Sequence, residues 1–204
     1  MTSIDRSTRI GPLWAGLHAQ PAARVPYRDA QDLAPQDRDL MSRPINLFRA
    51  LANSPGALRV HHAFGEWIRW DCTLDGRLRE LIILLVGYLT HSPYEYSHHI
   101  AIARSFDVDS DDVRAITEWA NGSTEAFAGE PEVIAALTMT VQIVEPGTVD
   151  DEAWTRASAL FSEENLTDIV VIASFYCYVV RVLGTVRIEV EPDYAIELDT
   201  HPLD

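Results

Sequence analysis

Cysteine is scarce in this chain. Its 204 residues include only Cys72 and Cys177, which are far apart in sequence and do not form a Cys-x-x-Cys motif. Disulfide-held proteins carry several cysteines, and a dithiol redox centre needs two that are close together. The sequence therefore indicates neither a disulfide framework nor a dithiol redox centre.

Basic residues are also few. The chain has 16 Lys and Arg against 31 Asp and Glu, so its formal net charge is −15. A protein that follows nucleic-acid phosphates or an anionic membrane surface needs a basic stripe, and the sequence contains none. We therefore expect neither a nucleic-acid partner nor a membrane partner.

Long apolar runs are missing as well. The longest, at 81–89 and 169–180, are well short of the ~20 residues that span a bilayer. Residues 1–17 contain no continuous apolar segment of the kind found in signal peptides. These features predict a soluble cytoplasmic protein.

The residues that are present favour an all-α fold. Ser54-Pro55 and Ser92-Pro93 have the form of a helix cap followed by proline, Ser110 and Ser162 are further predicted caps, and strand-like alternation is rare. We predict an N-terminal arm (1–36), a helical domain (37–185) and a C-terminal tail (186–204) that is extended or irregular over 186–198. Helices are predicted over about 54–70, 73–90, 92–105, 110–121, 131–144, 150–161 and 162–183.

Two segments of the helical domain are similar to each other. LRELIILLVGY at 78–88 aligns without gaps on LTDIVVIASFY at 166–176, so that Glu80 corresponds to Asp168. The shared position of the acid favours a degenerate duplication of the halves 37–122 and 131–185. The polar residues that follow the first copy are absent from the second, so we expect any chemistry in the first half.

The densest polar chemistry lies at Glu80 and in the run HSPYEYSHH at 91–99. Glu95 and His99 are neighbours at i and i+4 of one helix, where a carboxylate can orient an imidazole for acid–base work. A buried Glu80 suits the same task. Two structural alternatives remain open: Glu95 as the partner of Ser92 in a capping box, and Glu80 at the solvent edge or near the helix N-terminus.

Histidines suggest two other possibilities. His91, Glu95 and His99 could bind a metal ion, but His91 precedes the helix cap and no His-Glu-x-x-His motif is present. His61 and His62 lie on the preceding helix, where either can line a pocket, although surface or core placement is the commoner role. We expect no metal site.

Together these segments resemble a known family. LREL at 78–81, GYLT at 87–90, YEYSHH at 94–99 and AR at 103–104 are similar to the carboxymuconolactone decarboxylase and alkylhydroperoxidase D-like (AhpD-like) superfamily. The resemblance covers roughly residues 40–185. It implies an AhpD-like helical bundle that assembles into homo-oligomers, as a dimer, trimer or hexamer.

The match departs from the family's peroxidase branch at two positions. Glu80 and His99 are retained, but Ser92 and Glu95 stand where that branch has the two cysteines of its Cys-x-x-Cys. A hydroxyl does not replace a thiolate, and Ser92 and Glu95 cannot form a disulfide. Thiol peroxidase activity through this motif is therefore excluded, and the decarboxylase-type branch is the better match.

The decarboxylase-type resemblance implies a reaction by proton transfer without a cofactor. His99 would be the general acid or base, Glu95 would orient it, and Glu80 would complete the relay. This makes a carbon–carbon lyase or isomerase acting on a small carbonyl or lactone substrate the first hypothesis. A non-catalytic ligand-binding or assembly protein on the same fold is the alternative.

Four residues are candidates for binding the substrate. Arg79 and Arg104 are the nearest cations that could hold a substrate carboxylate, since a guanidinium binds this group through two hydrogen bonds. Tyr94 and His62 are the other two candidates.

Overall fold

The computed structural model describes residues 22–203, and in this range the chain is helical without β-strands, which confirms the predicted all-α class. A π-helical turn, Trp67–Asp71, follows the second α-helix, and short 3-10 helices occur at Ala30–Asp32, Pro35–Met41 and Arg104–Phe106. The α-helices are α1 Asn46–Leu51, α2 Pro55–Glu66, α3 Gly76–Leu89, α4 Pro93–Ala103, α5 Ser110–Ala120, α6 Pro131–Val144, α7 Asp151–Ser158, α8 Glu163–Val186 and α9 Pro192–Thr200.

Helix starts follow the predicted signals with two corrections. Proline occupies the first turn of α2 and α4, and the Ser162 side chain caps α8 by accepting from the backbone N–H of Asn165. The cap of α5 is Asp109 rather than Ser110. The Ser54 and Ser92 side chains make no capping hydrogen bond, so proline alone marks these two starts.

Helix α3 is the centre of the molecule. Every residue from Leu78 to Tyr88 is buried, and α3 packs against α4, α5, α6 and α8. An apolar helix of this kind is stable only when its whole circumference is covered. The polar residues Arg79 and Glu80 therefore lie inside the protein.

The described part of the predicted arm runs along the helical domain. The backbone N–H of Arg24 donates to Val186 O at the end of α8 (2.8 Å), and the N–H of Arg28 donates to Arg49 O in α1 (3.0 Å). Residues 1–21 of the arm lie outside the described residues, as does the segment 1–17 considered for a signal peptide.

The prediction for the C-terminal tail was wrong, because residues 192–200 form α9 and pack against α4. The segment has a proline in its first turn, and the Glu191 carboxylate just before it accepts from the backbone N–H of Asn46 (2.6 Å). The Arg104 guanidinium also donates two hydrogen bonds of 2.6 Å to the Glu197 carboxylate of α9. These contacts stabilise α9 from outside the helix.

Helix α8 is the longest helix among the described residues, at 24 residues. By length and composition alone it could cross a membrane, although 44% of its most apolar window is buried inside this chain. It packs against α3, α6 and α7, as the core helix of a globular protein does. Length and apolar composition alone do not distinguish a membrane-crossing helix from the core helix of a globular protein.

The two similar segments lie on α3 and α8, which pack against each other. Glu80 and Asp168 are both buried at the matching position. Asp168 accepts from the Cys72 thiol (3.4 Å) and the Thr73 hydroxyl (3.5 Å), whereas Glu80 contacts a histidine. The duplication of the halves stays a prediction.

Candidate active site

His99 of α4 lies between two carboxylates inside the protein. Its Nδ1 is 2.8 Å from Glu80 Oε2 on α3, and its Nε2 is 3.0 Å from Glu95 Oε1, one turn earlier on α4. The side chains of Glu80, Glu95 and His99 are only 3%, 5% and 8% exposed. The structure therefore brings together the three residues that the sequence singled out as catalytic.

The geometry contradicts the solvent edge for Glu80 and the capping box for Glu95. Glu80 is buried in the interior rather than placed at a solvent edge. Glu95 contacts His99, and the backbone N–H of Ser92 donates to Gly87 O (2.9 Å), so no capping box forms. The Ser92 hydroxyl is buried without a hydrogen-bond partner.

The charges of this cluster support one another. Burial by itself opposes a charged imidazole, but the charge and hydrogen bond of Glu80, together with the contacts to Glu95, raise the pKa of His99 to about 9. Burial opposes the charged carboxylate too, yet His99 and Arg79 hold the pKa of Glu80 below its ordinary value. At neutral pH these shifts favour a protonated His99 paired with an ionised Glu80.

Arg79 supports the cluster and does not line the cavity. Its Nε is 3.3 Å from Glu80 Oε1, and its Nη1 donates to the carbonyl oxygens of Ile68 (3.2 Å) and Arg69 (3.4 Å). Its guanidinium carbon lies 4.3 Å from the centre of the Phe106 ring. Arg79 thus links the acid–base cluster to the π-helical turn.

The assignment of Arg79 and Arg104 to a substrate carboxylate does not fit their positions. Arg79 is enclosed, with a side chain 4% exposed, and its contacts are internal. The Arg104 side chain is 54% exposed and holds Glu197 through both arms of its fork. Neither arginine lines the cavity beside the cluster.

A cavity of about 270 Å³ opens beside Glu95 and His99. Its aromatic wall comes from three helices and is formed by Phe48, Tyr94, Phe175 and Tyr176. His62 and Tyr94, the other two predicted substrate-binding residues, also line it. The Tyr94 hydroxyl is already engaged, since it accepts from Leu47 N and donates to Glu191 Oε1, both at 3.1 Å.

Sequence reasoning missed a second polar group on the same wall. The His98 ring is stacked between Tyr94 (4.1 Å between ring centres) and Tyr194 (3.6 Å), and its Nε2 lies 2.7 Å from Glu191 Oε2. Burial lowers the pKa of His98, although Glu191 works against this. Glu191 is 93 positions away in sequence, so no local spacing announces the pair.

Three more cavity residues were not predicted as a binding set: His61, Arg43 and Arg69. His61 is buried, its Nδ1 has no hydrogen-bond partner, and burial lowers its pKa to about 4, so it is neutral at physiological pH. The Arg43 guanidinium donates to the Tyr194 hydroxyl (3.1 Å). The sequence offered one hint, the doubled histidine at 61–62.

The structure also locates the metal and thiol candidates. Among residues 22–203 no group of three or more His, Cys, Asp or Glu side chains is arranged to hold a metal ion. Both ring nitrogens of His99 face carboxylates. Burial raises the pKa of the Cys72 and Cys177 thiols, so neither is an activated thiolate.

Solved structures with a similar fold carry different names. An uncharacterized peroxidase-related protein from Ralstonia eutropha, described as an alkylhydroperoxidase AhpD core, superposes with a TM-score of 0.72 at 20% identity, covering 87% of this chain and 97% of that chain. The debrominase Bmp8, in a complex with 2,3,4-tribromopyrrole, gives 0.71 at 18% identity, covering 88% and 97%. A peroxidase-related protein from Silicibacter gives 0.65 at 15%, covering 81% and 86%.

At these identities the superpositions establish the fold, which is AhpD-like as predicted. A search of curated proteins found no match. The model of the Carboxymuconolactone decarboxylase family matches residues 55–141, the stretch that contains α2 to α5 and the whole acid–base cluster. Over these residues the chain is similar to the carboxymuconolactone decarboxylase family, and its fold is AhpD-like.

Proposed function

We propose that this protein is a cofactor-free lyase or isomerase that transfers protons on a small carbonyl or lactone substrate. The supporting observation is the continuous contact from Glu80 through His99 to Glu95, which ends at a cavity lined by His99 and Glu95. A positioned acid–base group contributes typically 10²–10⁴-fold to a rate. A relay of this kind suits a reaction that needs a proton delivered to, or taken from, carbon.

Decarboxylation of a carboxylated lactone is the family precedent for such a step. The bond between the carboxylate carbon and the ring breaks, carbon dioxide leaves, and the electron pair enters the conjugated ring as a dienolate. His99 and Glu95 line the cavity and Glu80 does not, so the proton between His99 Nε2 and Glu95 would be the one added to the dienolate carbon. Solvent then restores the imidazolium, which Glu80 stabilises.

Thiol peroxidase chemistry fits this chain poorly. Ser92 and Glu95 occupy the cysteine positions, and the two cysteines present are not activated. The debrominase shares the fold at 18% identity, which leaves its activity specific to that protein. The fold thus hosts more than one reaction, and the polar groups of each chain decide which one.

The test is turnover in deuterium oxide of a panel of small carboxylated lactones and β-keto acids. We expect the wild-type protein to release carbon dioxide and to place one deuterium on a carbon of the dienolate that remains. His99→Gln and Glu95→Gln should each lower the rate by about 10²-fold or more. Arg104→Gln, which removes a surface charge away from the cavity, is the matched control and should retain the rate.

A wild-type rate in a folded His99→Gln variant would contradict the proposal. One observation favours the non-catalytic alternative: both His99 nitrogens are already held by carboxylates, as in a static ion-pair network beside a ligand cavity. If the wild-type protein binds members of the panel and converts none, the ligand-binding function is supported instead.

A further inference from the structure

We propose that Arg69 binds an anionic group of the ligand, so that the cavity selects small organic carboxylates. This inference rests on the proposed function for the identity of the cavity as the substrate site. It replaces Arg79 and Arg104 as the residues that recognise the anion.

Arg69 lies on the π-helical turn Trp67–Asp71, where the backbone N–H of Cys72 donates to Trp67 O (2.9 Å) across five residues. A π-turn adds one residue to a helical turn and is frequent at functional sites. Trp67 packs against the Phe64 ring of α2, while Arg69 and Trp70 line the cavity. The wider turn therefore places a guanidinium on the cavity wall.

The Arg69 guanidinium is half-buried, and within residues 22–203 it makes no hydrogen bond or ion pair. Glu66, three residues earlier, also lines the cavity but forms no ion pair with it. A partly buried cation without a counter-charge is unfavourable, and an anionic ligand would supply that charge. Arg43, on the same wall, has no ion pair within residues 22–203 either, but its guanidinium already donates to the Tyr194 hydroxyl.

Arg69 is also close to the acid–base cluster. Its charge acts on the buried Tyr176, whose ring centre lies 5.0 Å from that of His99. Arg79 bonds to the carbonyl of Arg69 with one arm of its guanidinium and contacts Glu80 through its Nε. A carboxylate held by Arg69 would therefore lie in the same cavity as the proton relay.

An anionic ligand needs a positively charged group within its binding site, because the chain as a whole is negatively charged. With a net charge of −15, the protein repels small anions at long range. A guanidinium on the cavity wall reverses the sign of the potential at short range, and its planar fork matches a carboxylate. Discrimination between a charged ligand and its neutral isostere should therefore depend on Arg69.

The test compares benzoate with benzamide, two rings of the same shape that differ in charge, by calorimetric titration of the full-length protein. We expect wild-type protein to bind benzoate about tenfold more tightly than benzamide, or better. Arg69→Gln should remove this preference while leaving benzamide binding unchanged, and Arg69→Lys should keep part of it. Arg104→Gln removes an arginine outside the cavity and should keep the full preference.

Two results would overturn the assignment: a folded Arg69→Gln protein that still prefers benzoate, or a wild-type protein that does not prefer it. The result is separable from the proposed function, because it is measured without turnover. If His99→Gln leaves turnover intact but Arg69→Gln abolishes the benzoate preference, the proton-transfer mechanism fails and the anion site stands.

Discussion

At the scale of single residues, the main feature is a charged histidine buried between two glutamates. Removing a charge from water is expensive, so an isolated imidazolium would lose its proton at this depth. The contacts with Glu80 and Glu95 keep the imidazole protonated, while Arg79 offsets part of the negative charge on Glu80. The cluster is therefore a coupled unit, in which loss of one partner leaves another buried charge uncompensated.

The raised pKa of His99 predicts a specific dependence of stability on pH. The folded value of about 9 lies above the ordinary value of 6.5. The stabilisation from the His99 charge is therefore fully present below about pH 6.5 and is lost as the pH rises through about 9. The free energy of unfolding in urea, measured from about pH 6 to about pH 9.5, should fall more steeply for wild type than for His99→Gln.

The histidine resonances give an independent measurement of the same property. In an NMR titration, His99 should titrate well above 6.5, and Glu80→Gln should move its midpoint down. A His99 midpoint at the ordinary value, or parallel stability curves for wild type and His99→Gln, would mean that the carboxylates do not hold the charge.

The sequence was informative about this site only where contacts are local. The i, i+4 spacing was enough to predict that Glu95 and His99 are neighbours. Glu80 was a candidate because it is an acid within an apolar segment, and the resemblance assigned it to the relay. Arg69 could not be placed in advance, because a single added residue in a helical turn decides which way it faces. The Glu191–His98 pair joins residues 93 positions apart. Contacts between residues so far apart produce no periodic pattern in the sequence.

At the scale of secondary-structure elements, the close approach of α3 and α4 builds the site. Glu80 is on α3, Glu95 and His99 are on α4, and Gly87 lies where the two helices meet. A Cβ atom at Gly87 would be 3.1 Å from the Tyr96 backbone nitrogen and 3.2 Å from its Cα. Only glycine allows this separation without displacement of backbone.

Gly87→Ala should therefore be destabilising, although alanine is normally the better helix former. We expect the free energy of unfolding to fall by about 1–3 kcal/mol, because the new methyl group meets backbone that cannot rotate away. Gly56→Ala in α2 is the control, since a Cβ there has no atom within 4 Å. It should be neutral or stabilising by up to about 1 kcal/mol. Equal effects of the two substitutions in urea denaturation would refute the steric explanation.

The helices predicted correctly are those with strong local signals. Proline in the first turn or a capping side chain marks the start of α2 to α8, and apolar residues recur at helical spacing through each helix. Helix α1 is only six residues long, too short for periodicity to show. Helix α9 has no buried residue of its own and is held by partners on α1 and at the end of α4. Tertiary contacts, rather than local sequence signals, stabilise α1 and α9.

At the scale of the whole molecule, apolar surface is concentrated where α2 meets α8. Phe64 of α2 stacks on Phe175 of α8 at 4.2 Å between ring centres. Three exposed side chains belong to the same part of the chain: Val60 of α2 (71% exposed), Trp70 of the π-helical turn (66%) and Tyr178 of α8 (43%). We call these five residues the α2–α8 patch. Exposed apolar side chains grouped in this way commonly mark an interaction surface.

Self-association through the α2–α8 patch is the prediction at this scale. The family resemblance implies homo-oligomers, and the apolar excess of α8 gives a physical reason for one. In multi-angle light scattering, the mass should be a multiple of the 22.8 kDa chain. Val60→Glu should shift it toward the monomer, because an unpaired charge would be buried between copies. Ile196→Glu places the same charge at an exposed apolar residue of α9 (64% exposed), away from the patch, and should leave the mass unchanged. A monomeric wild-type protein would contradict self-association through this patch.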